Sequence, residues 1–462
     1  MVQRLVVVGG DAGGLTAASQ ARKRRGPDDL EIIAVERGRH ASYSACGIPY
    51  WIGGEVSTVD DLVVRTVAEF REKFTIDVRL RQEAVGLDLD RRAVTVRDLA
   101  AGTEYRLRFD HLVLATGAVP VRPPLPGVDA PGVHLVRTLD DGEAVRSTVD
   151  GGARRAVVVG GGYVGLEMAE AFIRRGLAVT LVEAGAQLMP TLDADLAGVV
   201  LAAVRGLGVT VRTGERMREI ATGPGGRVAA VVTDGGSIPA DVVVLGLGVR
   251  PNTALAEAAG LPLGSTGGLV TDRRMRVTGP GGGWVDGVWA AGDCVQTTHR
   301  VSLAPVHVAL GTHATKQGRV AGVNIGGGYA TFPGVLGTAV TKVCGLEIGR
   351  TGLGERDAER AGFRAVTATV ESTTRAGYLP DAPGITVKLI AEHRSGRLLG
   401  AQVVGQEGAA KRIDTLATAL WHAMTVEEIA GLDLSYAPPF GPVWDPVLIA
   451  ARKAWDAVVA AS

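Results

Sequence analysis

Cysteine is scarce: three residues in 462, at positions 46, 294 and 344. That number and spacing exclude a disulfide framework, a C-x-x-C pair and a zinc-ligand cluster, so no metal is expected. A reducing compartment suits such a chain. Net charge is equally missing, with 49 basic residues against 49 acidic ones. This removes any electrostatic footing for nucleic acid or an anionic membrane as the main partner. No apolar run approaches the ~18 residues of a membrane span. The opening run at residues 5–8 is too short for a secretory signal and ends in a glycine turn. The expectation is a cytoplasmic protein that works away from membranes and nucleic acid.

What is present is glycine, 65 residues of it. The glycines gather in turns and loops without a repeat period, so the sequence is neither collagen-like nor of low complexity. The length predicts two or three domains. Residues 5–8, Leu-Val-Val-Val, read as a strand buried on both faces. The turn Gly9-Gly10-Asp11-Ala12-Gly13-Gly14 and a helix over 15–25 come next, then a strand over 31–36 that ends in Glu36. This is the layout of a dinucleotide site. Glycines let the backbone approach a pyrophosphate, the helix N-terminus offers N–H groups, and the acid takes ribose hydroxyls. One residue departs from the pattern: Asp11 stands where G-x-G-x-x-G has its middle glycine.

A second unit repeats the layout without that departure. The strand at 156–159 leads into Gly160-Gly161-Gly162-Tyr163-Val164-Gly165, a helix from Leu166, and a strand over 178–183 ending in Glu183. Ala184 and Gly185 follow, with no adjacent arginine for a ribose 2′-phosphate, which leans toward NADH over NADPH. Shorter signals extend both units. Ala115-Thr116-Gly117 ends a strand of the first, Gly246-Leu247-Gly248 ends one of the second, and Gly292-Asp293 closes a strand at 288–291. A helix over 308–321, with His307 and His313 on it, should complete the first unit. From about residue 334 the pattern alternates as antiparallel strands do, at 335–342, 365–370, 385–390 and 398–404. Helices over 409–423 and 426–430 and a proline-set loop at 435–442 follow. The fold expected is α/β: two Rossmann-like domains and a C-terminal α+β dimerisation domain. The boundaries are 1–117 with 250–328 for FAD, 118–249 for NAD(P)H, and 329–462 for the interface.

Cys46 stands a few residues beyond the first unit, in Ser42-Tyr43-Ser44-Ala45-Cys46-Gly47-Ile48-Pro49-Tyr50. With no cysteine nearby in sequence, a redox role requires a mixed disulfide, a persulfide or a sulfenic acid. The competing reading is a small buried hydrophobe. Cys294 and Cys344 read as packing residues, and His307 and His313 as core or surface histidines.

Together these motifs resemble the flavin-dependent pyridine nucleotide–disulfide oxidoreductases, over essentially the whole chain. The segments Ser42-x-x-x-Cys46-Gly47-x-Pro49-Tyr50 and Tyr436-Ala437-Pro438-Pro439 are similar to the single-cysteine branch, and within it to coenzyme A disulfide reductases. Ala12, where the oxidases and peroxidases of that branch carry histidine, points the same way. Ala45, Leu379 and Phe440 depart from the branch's pattern, and no rhodanese-like extension is expected after residue 462.

The resemblance implies FAD and NADH or NADPH as cofactors. Gly9, Gly14, Glu36, Ala115, Thr116, Gly117 and Asp293 would serve the flavin. Gly160, Gly162, Tyr163, Gly165, Glu183 and Gly248 would serve the nicotinamide nucleotide, with Tyr163 as the ring that admits it. Cys46, Ser42, Glu167 and Tyr436 of the partner subunit are the implied catalytic groups, Cys46 as a stabilised thiolate. Gln20, Arg22, Lys23 and Tyr378 would meet a coenzyme A-derived disulfide. A homodimer reducing that disulfide or a related persulfide is the activity implied. The alternatives are an NADH oxidase or peroxidase working through a cysteine sulfenate, or a flavoprotein passing electrons to a protein partner.

Overall fold

From Leu5 onward the strand β1 (Gln3–Val8) is apolar on both faces because it runs between two parallel neighbours. In the computed structural model, which describes residues 2–461, Leu5, Val6 and Val7 are fully enclosed. Met1 and Ser462, the outer ends of the first and third expected domains, lie outside the described residues. β1 pairs in parallel with β2 (Leu30–Glu36) and with His111–Leu114, so that Val8 faces both Val35 and Leu114. The sheet runs Arg276–Thr278, Trp284–Ala290, His111–Leu114, β1, β2, Asp77–Leu80. Its strand Trp284–Ala290, parallel to His111–Leu114, comes from far down the chain. The first nucleotide unit is therefore assembled from two separated stretches.

The second unit repeats the arrangement with β3 (Arg155–Val159), β4 (Ala178–Glu183) and β5 (Thr210–Thr213). All five strands of its sheet are parallel, in the order β5, β4, β3, Val242–Leu245, Val133–His134. Two helices open from the glycine turns: α1 (Ala12–Arg22) and α2 (Tyr163–Arg174). Each turn begins with a glycine at left-handed φ, Gly9 at 115° and Gly160 at 108°. A Cβ on them would stand 2.0 Å from the Ala115 carbonyl oxygen and 2.3 Å from that of Gly246. Any other residue is both strained and sterically blocked there.

The third module is a five-stranded antiparallel sheet, ordered Ala339–Val343, Leu346–Gly352, Leu398–Gly405, Gly384–Glu392, Ala365–Thr373. Leu346–Gly352 was not anticipated, since Gly349, Arg350 and Gly352 break the alternation that marks a strand; pairing on both sides supplies what the pattern lacks. The strand expected from Val335 begins at Ala339, while Val335 makes only an isolated bridge with His299. The helix expected over 409–423 splits into a 3-10 turn, Ala410–Arg412, and a helix, Ile413–Trp421, with the Glu347 carboxylate accepting from the Ala410 N–H at 2.8 Å. The helix expected over 308–321 is Gly311–Ile325, which leaves His307 ahead of it.

The second unit and the third module are pinned together by polar groups. Lys388, almost fully enclosed, meets Asp193 at 3.2 Å, Asp195 at 2.9 Å, and Glu355. Gln402 exchanges two hydrogen bonds with Asp193, at 2.8 and 2.9 Å. Burying an ammonium requires such compensation.

Candidate active site

The segment carrying Cys46 hangs from the first glycine turn. The Ser42 N–H donates to the Gly10 carbonyl at 2.8 Å, and Ser42 itself adopts φ 52°. The backbone N–H groups of Tyr43 and Ala12 lie beside the Asp11 carboxylate and favour its charged form. On the other side, Ser44 N–H donates to the Leu62 carbonyl and Val64 N–H to that of Ser42, both at 2.8 Å. Cys46 then lies in a 3-10 turn, Ala45–Gly47, followed by the short helix Ile48–Gly53 with proline in its first turn. Ile48, Trp51 and Ile52 from that helix pack with Leu166, Ala169 and Phe172 of α2. The thiol is thus fixed where the two nucleotide units meet.

Charged groups from four separate segments act on that thiol: Glu167, Arg137, Asp293 and Asp11. Arg137 donates to the Asp293 carboxylate at 2.9 Å and to the Ala118 carbonyl at 3.4 Å. Asp293 is largely enclosed, and its carbonyl faces the His307 ring nitrogen at 2.8 Å. The Thr341 hydroxyl donates to Glu167 at 2.8 Å, and Arg350 donates to the Tyr163 hydroxyl at 3.0 Å. Both of these supporting residues belong to the third module.

The electrostatics run against a resting thiolate. Cys46 is open at its surface, yet the protein packed behind it pushes the thiol above its ordinary value, with Glu167 adding to the effect and Arg137 opposing it. Within the protein itself, carboxylates outnumber the one guanidinium around the sulfur. Burial raises Glu167 too. Asp11 is raised to about 6, first by burial, with Arg137 partly offsetting it and Glu36 adding to it.

The two acids at the strand ends share one arrangement. Glu36 accepts from Gly10 and Gly38 N–H at 2.8 and 2.7 Å, and Glu183 from Gly161 and Gly185 N–H at 2.7 and 2.6 Å. They hold their turns in shape while keeping lone pairs for ribose hydroxyls. A Cβ built on Gly162 meets nothing within 4 Å, so the N-terminus of α2 is open to an anion. At the matching position of the first turn stands Asp11. Thr116 donates to the Asn252 carbonyl at 2.5 Å, and Gly117 and Gly248 take left-handed φ of 71° and 85°. These cradles fit two dinucleotides.

The substrate-side residues are placed as follows. Arg22 donates to the carbonyls of Phe74, Arg25 and Thr75, at 2.9, 3.0 and 3.1 Å, which anchors the end of α1 rather than presenting the guanidinium to a ligand. Gln20 accepts from Arg24 at 3.3 Å, and Lys23, capping α1, is exposed. Tyr378 and Tyr436 are exposed and lie near each other. Arg412 ties their loops together through the carbonyls of Thr374 and Phe440. Of the other thiols, Cys294 is enclosed beside the Leu114 carbonyl, 3.4 Å away. Cys344 sits at φ 62° with its N–H on Glu170, and burial raises it to about 12. Sequence reasoning missed Arg137, Thr341 and Arg350, which carry no motif. Asp11 was visible only as a departure from one.

The description of the pyridine nucleotide-disulphide oxidoreductases matches residues 3–318, and that of their dimerisation domain matches 338–446. The chain belongs to this family. It uses FAD and NAD(P)H, and its third module is the family's dimerisation domain. It is 37% identical over 456 residues to the NAD(P)H coenzyme A polysulfide/persulfide reductase of Pyrococcus horikoshii, covering 98% of each chain. It is 35% identical to an NADH oxidase of Methanocaldococcus jannaschii, again over 98% of both. Among solved structures, a NAD-dependent persulfide reductase from A. fulgidus superimposes with a TM-score of 0.94 at 40% identity, over 98% of this chain and 83% of that one. The two Rossmann-like domains with a C-terminal dimerisation domain are thereby established, and no helix among the described residues is long and apolar enough to cross a membrane.

Proposed function

We propose that this family member is an NAD(P)H-dependent disulfide reductase that works through Cys46 alone, on coenzyme A disulfide or a related low-molecular-weight disulfide or persulfide. One observation carries the reading. The Cys46 thiol lies between the two nucleotide units under the influence of Glu167, Arg137 and Asp293, while Cys294 and Cys344 are held in packing positions. With no second reactive thiol, the substrate's own sulfur completes the disulfide.

In this reading Gly9, Gly14, Glu36, Thr116, Gly117 and Asp293 hold FAD, and Gly160, Gly162, Gly165, Glu183 and Gly248 hold the nicotinamide nucleotide. FAD held there would supply the two-electron chemistry that links NAD(P)H to sulfur. The protein's residues do the rest. Glu167, whose proton affinity burial raises, takes the thiol proton from Cys46 and returns it to a leaving thiolate. Arg137 steadies the sulfur anion. The thiolate attacks one sulfur of the substrate disulfide, forming a Cys46 mixed disulfide and expelling one thiolate, which takes up a proton. Two electrons and two protons, one from the hydride and one from solvent, then cleave the mixed disulfide, releasing the second thiol and restoring the Cys46 thiol. Tyr378 and Tyr436, outward-facing on the dimerisation domain, orient the substrate at the partner's thiol.

The 35% identity to an NADH oxidase favours a second reading, a Cys46 sulfenate that reduces oxygen or peroxide. Ala12 in the first glycine turn opposes it. Anaerobic titration with NADH, followed by coenzyme A disulfide, a persulfide, peroxide or oxygen, separates them by counting thiols released. C46S should lose disulfide turnover while its flavin is still reduced by NADH. Undiminished disulfide turnover in C46S sinks both readings.

A further inference from the structure

Beside the acid of the second unit lies a cleft of about 380 Å³, lined by Glu183, Ala184, Val159, Gly160, Pro124, Leu125 and the start of strand β6 (Met217–Thr222). The segment entering β6 is strapped against the acid's own turn. Gly214 N–H donates to the Gly185 carbonyl at 2.7 Å, and Glu215 N–H to the Glu183 carbonyl at 3.1 Å. Two arginines of this segment, Arg216 and Arg218, consequently line the cleft across from Glu183.

Their charges are not equally available. Arg218 is held by Asp234 at 2.5 Å. Glu215 is taken by Arg212 and Thr233, and both oxygens of Glu183 accept glycine N–H groups. Among the described residues the Arg216 guanidinium, exposed at the cleft, has no hydrogen-bond or ion-pair partner; Asp234, the carboxylate facing it, is bonded to Arg218. A free guanidinium beside the ribose acid is what a 2′-phosphate requires, and the fork geometry matches a phosphate's oxygens. We infer that Arg216 reads the ribose 2′-phosphate of NADPH, so that this chain accepts both nicotinamide nucleotides although no arginine follows Glu183 in sequence. The inference rests on the second unit as the nicotinamide nucleotide site and is independent of Cys46 chemistry.

Calorimetric titration of the FAD-loaded protein with 2′-phospho-ADP-ribose and with ADP-ribose tests it. The wild type should bind the phosphorylated probe at least as tightly. R216M should weaken that probe by about tenfold and leave ADP-ribose within about twofold, whereas R218M should separate the two probes far less. R216K should recover part of the loss. The ADP-ribose arm reports whether the cleft survives the substitution. Equal losses on both probes in R216M, no loss at all, or a wild type blind to the 2′-phosphate overturns the assignment. If the wild type binds neither probe, the second unit is not the nucleotide site; a failed C46S experiment leaves this result untouched.

Discussion

Asp11 is a carboxylate placed where a dinucleotide turn normally has no side chain, and its cost can be worked out. Burial raises it from 3.8 to about 6, despite Arg137 and two backbone N–H groups that favour the charged form. The folded protein holds the Asp11 proton more tightly than the unfolded chain does. The group therefore has no effect on folding below pH ~3.8, opposes it increasingly as pH rises, and reaches its full cost above about 6. At about 1.36 kcal/mol per pH unit, that cost is about 3 kcal/mol at pH 7. D11N removes the charge and keeps an acceptor for the Tyr43 and Ala12 N–H groups. Urea unfolding of flavin-depleted protein, followed by tryptophan fluorescence, should show the two proteins nearly equal at pH 4. D11N should lead by about 3 kcal/mol at pH 7. A gap independent of pH, or a less stable D11N at pH 7, would mean the charged form is favoured where it sits and would refute the reasoning.

Other expectations concern the thiol and its surroundings. E167Q removes the carboxylate that most raises Cys46 after burial, so the pH profile of iodoacetamide alkylation should move to lower pH, with the rate at pH 7 rising by about tenfold. An unchanged alkylation profile would place Glu167 outside the thiol's field. R137M leaves the largely enclosed Asp293 without its cation and should cost about 2 kcal/mol of stability while raising the Cys46 pKa, read from urea midpoints and the same alkylation profile. Slower alkylation without loss of stability would separate the two roles of Arg137.

The first two layers of this molecule were legible in its sequence for a local reason. A Rossmann unit writes its parts within a short stretch: a buried strand, a turn that only glycine can make at Gly9 and Gly160, a helix, and an acid at Glu36 or Glu183. Strand period, turn conformation and terminal charge are properties of neighbouring residues, so the chain alone determined two dinucleotide units, a lone candidate thiol at Cys46 and a change to antiparallel structure after residue 334. Tertiary structure decided what depends on distance. It brought Arg137 onto Asp293, Thr341 onto Glu167 and Arg350 onto Tyr163, pairs separated by more than a hundred residues. It turned Arg22 inward to three carbonyls despite its place in a basic run. It also set Arg216 across from Glu183 through two backbone hydrogen bonds, supplying from the segment that enters β6 a cation absent from the acid's own loop. Hydrogen bonds and charge–charge interactions act over a few ångströms, and only the folded chain decides which residues come that close.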